Sequence, residues 1–330
     1  MSWDELLHVP GPGRSRVLVE GLDHPEGVCW SPSERVIYAG GEQGQVYRVG
    51  LDDPRADIVA QAPDFVLGLA IDGVGRLVLC VTGEHPSICV VDGGKVRYLF
   101  SHVAGEALVF PNYAAFEADG TLWFTDSGAW GEHRGKLVRV GVDGSAEIVS
   151  KALNRFPNGC AVSPDGQWLW VVESLGPTVS RFNVRTGEGP ELLVTLHGHV
   201  PDGLAFTSDG GCLISNYRPD RIYHLDAAGH LEVVAQDPHG TLIAAPTNVC
   251  FVGQDLDRVV SANLGRWHLT WLDLGLTGTS LFRPERWAAD SVNVGAVDDR
   301  GAPHVPGDLR QVDVPPGPAL RPDNGQRYQS

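Results

Sequence analysis

The stretch Pro157-Asn158-Gly159-Cys160-Ala161-Val162-Ser163-Pro164-Asp165-Gly166, resumed at Leu169-Trp170-Val171-Val172-Glu173, decides the fold. It reads as an apolar strand, a tight Ser-Pro-Asp-Gly turn and a returning strand. The same design follows Pro201-Asp202-Gly203, with Leu204-Ala205-Phe206, a Ser208-Asp209-Gly210 turn and Cys212-Leu213-Ile214-Ser215-Asn216. Working outward, related copies open at Pro25-Glu26-Gly27, Leu67-Gly68, Pro111-Asn112 and Pro246-Thr247-Asn248. One position, occupied by Glu26, Gly68, Asn112, Asn158, Asp202 and Asn248, recurs every 42 to 46 residues. A further strand follows each returning strand, with a fourth between successive copies, and no segment keeps a helical period over three turns. Four antiparallel strands per unit at this spacing predict a β-propeller, here an all-β fold of six blades.

The strand count also predicts how the ring closes. Fourth strands are expected near Ile58 and over residues 96–100, 148–151, 192–195 and 231–235, but none follows Leu269-Thr270-Trp271-Leu272 in the last copy. The unassigned strand Arg16-Val17-Leu18-Val19-Glu20-Gly21-Leu22 supplies the missing edge. Residues 1–15 are thus a lead-in, 16–275 the propeller and 276–330 an irregular extension. Trp287 and Val292-Asn293-Val294 are expected to pack on the propeller, with a mobile Pro- and Gly-rich end.

Composition narrows the function. A formal net charge of −16 argues against nucleic acid, whose phosphates call for surplus Lys and Arg. No apolar run reaches the roughly 18 residues of a membrane span, and Met1-Ser2-Trp3-Asp4-Glu5 lacks the character of a signal peptide. The six cysteines form no CxxC pair and read as small buried hydrophobes, free thiols in a cytoplasmic protein. The expected partner is a small-molecule substrate.

The recurring position carries the chemistry. It begins the strand that lines a propeller's channel, so five oxygen-bearing side chains, Glu26, Asn112, Asn158, Asp202 and Asn248, converge on one axis. Glu42, Asp126, Glu173, Asn216 and Asn263, at the ends of the returning strands, approach the same face. Loops carrying His24, His102, His197 and His199 open there too. Two carboxylates and three amides, with no ring histidine, suit a hard divalent cation. Calcium is the expected ion; Mg2+, Mn2+ or Zn2+ could substitute.

The motifs Pro25-Glu26-Gly27, Pro157-Asn158-Gly159 with Ser163-Pro164-Asp165-Gly166, and Pro201-Asp202-Gly203 resemble those of the gluconolactonase/regucalcin family of six-bladed propellers, over roughly residues 16–275. The resemblance implies a metal-dependent lactonase in which Glu26, Asn158 and Asp202 bind the ion and Asp202 is also catalytic. Asp202 would act as base for water or attack directly. Asn112 matches an asparagine that touches substrate in lactonases and binds calcium in the related diisopropyl fluorophosphatase. Sugar lactonases often carry an Arg two residues before that asparagine, where this chain has Phe110, preceded by Val109. That apolar pair argues against gluconolactone itself. Substrate contacts are expected from Asn112, Asn248, Tyr113 and Trp130, with Trp267 also favouring a less polar ligand. A phosphotriesterase, a strictosidine-synthase-like enzyme and a non-catalytic metal-binding propeller are the alternatives; no GxSxG elbow supports a serine hydrolase.

Overall fold

Six four-stranded antiparallel sheets are arranged around one axis in a computed structural model that describes residues 14–291. Their innermost strands are Val28–Ser31, Phe65–Ile71, Pro111–Phe116, Pro157–Val162, Val200–Phe206 and Pro246–Val252, defining blades one to six. In blades one to five the strands follow outward in chain order, as hairpin connections demand. Blade six takes its outermost strand, Ser15–Glu20, from the other end of the chain. That strand pairs antiparallel with His268–Leu272, from Ser15 opposite Leu272 to Glu20 opposite His268. The expected closure is borne out, and it removes the sheet edge that an open ring would leave.

The apolar core is divided rather than central. Six clusters of buried side chains lie one between each pair of neighbouring blades. Innermost and second strands face a neighbour on both sides, which is why they read as nearly unbroken runs such as Leu77-Val78-Leu79-Cys80-Val81. Leu18 and Val19 of the closing strand enter the cluster between blades six and one, so closure adds apolar burial as well as ladder hydrogen bonds. All six cysteines are buried and free. Burial pushes the Cys29 and Cys89 thiols up to about 12, which leaves them unreactive packing groups. The Ser163–Gly166 turn has the expected chemistry: Ser163 Oγ donates to Asp165 Oδ1 at 2.5 Å, and Gly166 adopts a φ of +69°.

Beyond the last blade the chain runs across the face opposite the ring. Thr207 and Gly278 form a bridge, Arg283 Nη2 donates to the Trp30 carbonyl at 3.2 Å, and Gly73 N donates to Pro284 O at 2.9 Å. Trp287 is fully buried, edge-on to Phe116 at 5.1 Å, and its indole N–H donates to Asp72 Oδ2 at 2.8 Å. The expected packing of Trp287 is therefore present; residues 292–294 and the Pro-rich end lie outside the described residues. No helix among the described residues is long and apolar enough to cross a membrane.

Candidate functional site: a ring of buried oxygens

Glu26, Asn112, Asn158, Asp202 and Asn248 are all buried; the last four lie near the starts of innermost strands and Glu26 just before Val28–Ser31. The pairing is irregular at this point. Register shifts fall between Pro111 and Ala114, Pro157 and Cys160, Pro201 and Leu204, and Pro246 and Asn248. Each shift is a bulge that lifts one residue out of the ladder and re-aims its side chain. In blades three, four and five the bulge takes in Asn112, Asn158 and Asp202; in blade six the extra residue is Thr247, and Glu26 lies ahead of a regularly paired strand.

The glycines of these motifs answer to the neighbouring blade. A Cβ on Gly159 would lie 2.5 Å from the Asp202 carbonyl oxygen, and one on Gly27 would lie 2.1 Å from that of Leu67. Only a residue without Cβ permits the approach that narrows the ring. At Gly68 the same approach, against Asn112 and Tyr113, leaves blade two with no side chain to contribute.

A set of hydroxyls, not singled out from the sequence, fixes the amides. Asn112 Nδ2 donates to Ser127 Oγ at 3.0 Å, and Ser127 donates to the Pro157 carbonyl at 2.6 Å. Asn158 repeats the arrangement one blade on, with Ser174 Oγ at 3.1 Å and the Pro201 carbonyl at 2.7 Å. Ser215 donates to Thr247 O at 2.8 Å, and Thr247 Oγ1 donates to Glu26 O at 2.8 Å. Hydroxyl bonds thus stitch blades three, four, five, six and one together around the ring. With Nδ2 of Asn112 committed to a hydroxyl, its Oδ1 is the atom left for a ligand. The signal was present in sequence as the recurring pairs Asp126-Ser127 and Glu173-Ser174.

The acidic members of those pairs shape the loops that lead into the ring. Asp126 Oδ1 accepts the Phe110 N–H at 2.7 Å, and Glu173 Oε1 accepts the Arg155 N–H at 2.6 Å. Asn263 Oδ1 does the same for Ala244 N at 3.0 Å in blade six. These residues approach the ring face as expected, and they act there on backbone. The substrate candidates separate. Tyr113 is buried and donates its hydroxyl to Asn248 Oδ1 at 3.2 Å, so those two are engaged with each other across the channel. Trp130 stands outside the ring on a loop, 58% exposed.

Three buried oxygens of the ring, Glu26 Oε2, Asn112 Oδ1 and Asp202 Oδ1, have no hydrogen-bond partner. Leaving buried acceptors unsatisfied is costly, the more so for carboxylates. Burial pushes the Glu26 carboxyl up to about 8. Burial and the nearby Glu26 charge raise Asp202 well above the carboxylate range, against a lowering hydrogen bond from Asn158. Two buried acids, an unpartnered amide oxygen and no nitrogen or sulfur donor make an oxygen-only set. Such a set fits a hard divalent cation, whose charge would offset both carboxylates.

Comparison with known proteins agrees with the fold. A structure described as a Xanthomonas campestris gluconolactonase superposes with a TM-score of 0.69 at 24% identity, covering 84% of this chain and 94% of that one. A calcium-binding regucalcin from Agrobacterium tumefaciens gives 0.67 at 18% identity, covering 82% and 97%. A luciferin-regenerating enzyme gives 0.67 at 18% identity, covering 82% and 98%. No curated protein matches the sequence. The family described as SMP-30/gluconolactonase/LRE-like region matches residues 25–262, and the chain belongs to that family.

Proposed function

We propose that the protein is a calcium-dependent lactonase, a carboxylic ester hydrolase that opens a lactone ring at the mouth of the channel. Membership of a family that includes gluconolactonases supports a lactonase-type hydrolase. The observation that carries the metal reading is that Glu26 Oε2, Asn112 Oδ1 and Asp202 Oδ1 are buried without partners, with Glu26 close enough to Asp202 to raise its pKa. Glu26, Asn158, Asp202 and Asn112 would hold the ion; Mg2+, Mn2+ or Zn2+ would be substitutes.

When bound, a divalent cation supplies positive charge that polarises a lactone carbonyl and favours the oxyanion of addition. The chain's own groups do the rest. Asn112, turned by Ser127, would offer its Oδ1 to the ion, and Asn158, turned by Ser174, stands beside Asp202. Asp202 takes a proton from the attacking water, the C–O bond of the ring breaks, and that proton passes to the departing alkoxide. The product is an open hydroxy acid. Direct attack by the Asp202 carboxylate would give an acyl intermediate and the same product. Cytoplasmic residence belongs to the same proposal, in keeping with six free buried thiols.

The test is hydrolysis of lactones by the calcium-loaded protein, its chelated form and Asp202→Asn. Activity lost in the last two, with folding retained by circular dichroism, is the expected result. Full turnover in Asp202→Asn would defeat the role given to that residue. Turnover unaffected by chelation would leave the ion structural.

A further inference from the structure

The mouth above the ring has two unlike sides. In blades three and four the ring asparagines follow the same order, Phe110-Pro111-Asn112 and Phe156-Pro157-Asn158. The two phenylalanine rings meet across the blade boundary, centroids 5.3 Å apart and tilted by 52°. Trp130, on the loop beyond Ser127, sets its ring edge-on to Phe156 at 4.7 Å. The three form one aromatic wall, from buried Phe156 through half-buried Phe110 to Trp130, which exposes 58% of its surface. Phe156 holds a left-handed φ of +65°, a conformation unfavourable for a bulky residue unless its surroundings impose it.

The opposite side, where blades six and one meet, is mixed, with His24 and Glu42 beside the exposed Trp267. His24 Nδ1 lies 2.8 Å from Glu42 Oε2, and its Nε2 accepts the Trp267 indole N–H at 3.1 Å.

Resting on the lactonase reading above, we infer that the substrate is a lactone bearing a flat or extended apolar substituent, aryl or alkyl, seated on the Phe110–Phe156–Trp130 wall. A lactone carbonyl held at the ion beside Asn112 and Asn158 would place the remainder of the molecule near the aromatic residues that precede those asparagines. An apolar substituent there removes its own surface and that of Trp130 from water, and aromatic faces add stacking. A polyhydroxylated substituent would instead lose water from each hydroxyl against rings that accept no ordinary hydrogen bond. Trp130 and Phe110 are specificity residues in this assignment, acting on binding rather than on the bond that breaks.

Three δ-lactones that share the reacting ring test it: 5-phenyl-δ-valerolactone, δ-decanolactone and glucono-δ-lactone, with the full-length calcium-loaded chain. The expected kcat/KM for the first two exceeds that for the third by about tenfold or more. Trp130→Ala and Phe110→Ala should each narrow that ratio by roughly tenfold, mostly through KM. An equal or higher kcat/KM for glucono-δ-lactone, or a ratio unchanged in both variants, overturns the assignment. If none of the three is hydrolysed, the lactonase reading fails and calorimetry decides the wall separately. Binding of the phenyl lactone but not glucono-δ-lactone, weakened by Trp130→Ala, supports it; equal binding of the two overturns it.

Discussion

Asn158 and Ser174 are joined by a hydrogen bond of 3.1 Å from amide to hydroxyl, and the same hydroxyl binds the Pro201 carbonyl of the next blade. One serine therefore orients a candidate ligand and ties together the two blades that carry Asn158 and Asp202. Ser174→Ala should lower calcium affinity by about 10–100-fold, the range for loss of a group that orients a metal ligand. Isothermal titration calorimetry would read the change, and an unaltered affinity would reduce Ser174 to a blade-to-blade tie.

Proton linkage gives a second expectation. Glu26 and Asp202 both hold their protons more tightly in the metal-free fold than in an unfolded chain. Their contribution to metal-free stability is present in full below the ordinary carboxylate range and is lost as pH rises, for Glu26 through about 8. Calcium requires the ionised groups, so its affinity rises over the same interval and binding releases protons. The calcium-induced rise in Tm should grow from pH 5 to pH 8. A rise independent of pH would remove Glu26 and Asp202 from the binding set.

Close approach at the ring can be tested by one methyl group. In Gly159→Ala the added Cβ meets the Asp202 carbonyl at 2.5 Å, so blades four and five must separate. A loss of about 1–3 kcal/mol of stability is expected, accompanied by weaker calcium binding. Urea unfolding and calorimetry would measure the two together. Unchanged calcium affinity would show that the ring tolerates a wider gap.

The chain beyond the last blade should matter to stability rather than to chemistry. Trp287→Ala removes a fully buried indole packed on Phe116 and hydrogen-bonded to Asp72, on the face away from the ring. Destabilisation of about 3–5 kcal/mol is expected, read by urea unfolding, with kcat/KM for a lactone substrate preserved. A large loss of activity in folded protein would mean that this segment communicates with the ring.

Much of this was legible in the sequence because the architecture repeats. Short apolar strands, turn residues and the 42 to 46 residue spacing specify blades, and a missing fourth strand specifies closure by residues near Leu18. Residues at one position of successive copies must converge on a rotational axis, so Glu26, Asn112, Asn158, Asp202 and Asn248 form a group in the sequence itself. That follows from symmetry, which a repeat writes into the chain.

Tertiary structure decided what the repeat leaves open. Which atom of each amide faces the axis depends on Ser127 and Ser174, reached across the hairpin, and on bulges that periodicity does not reveal. Tyr113 and Asn248 became partners because blades three and six face each other across the channel, a contact between residues 135 positions apart. Phe110, Phe156 and Trp130 became a wall only when adjacent blades brought their rings together. Local patterns fix each blade, since strand and turn energetics act over a few residues. The ligand set and its surroundings depend on contacts between blades, whose partners are separated by whole repeats.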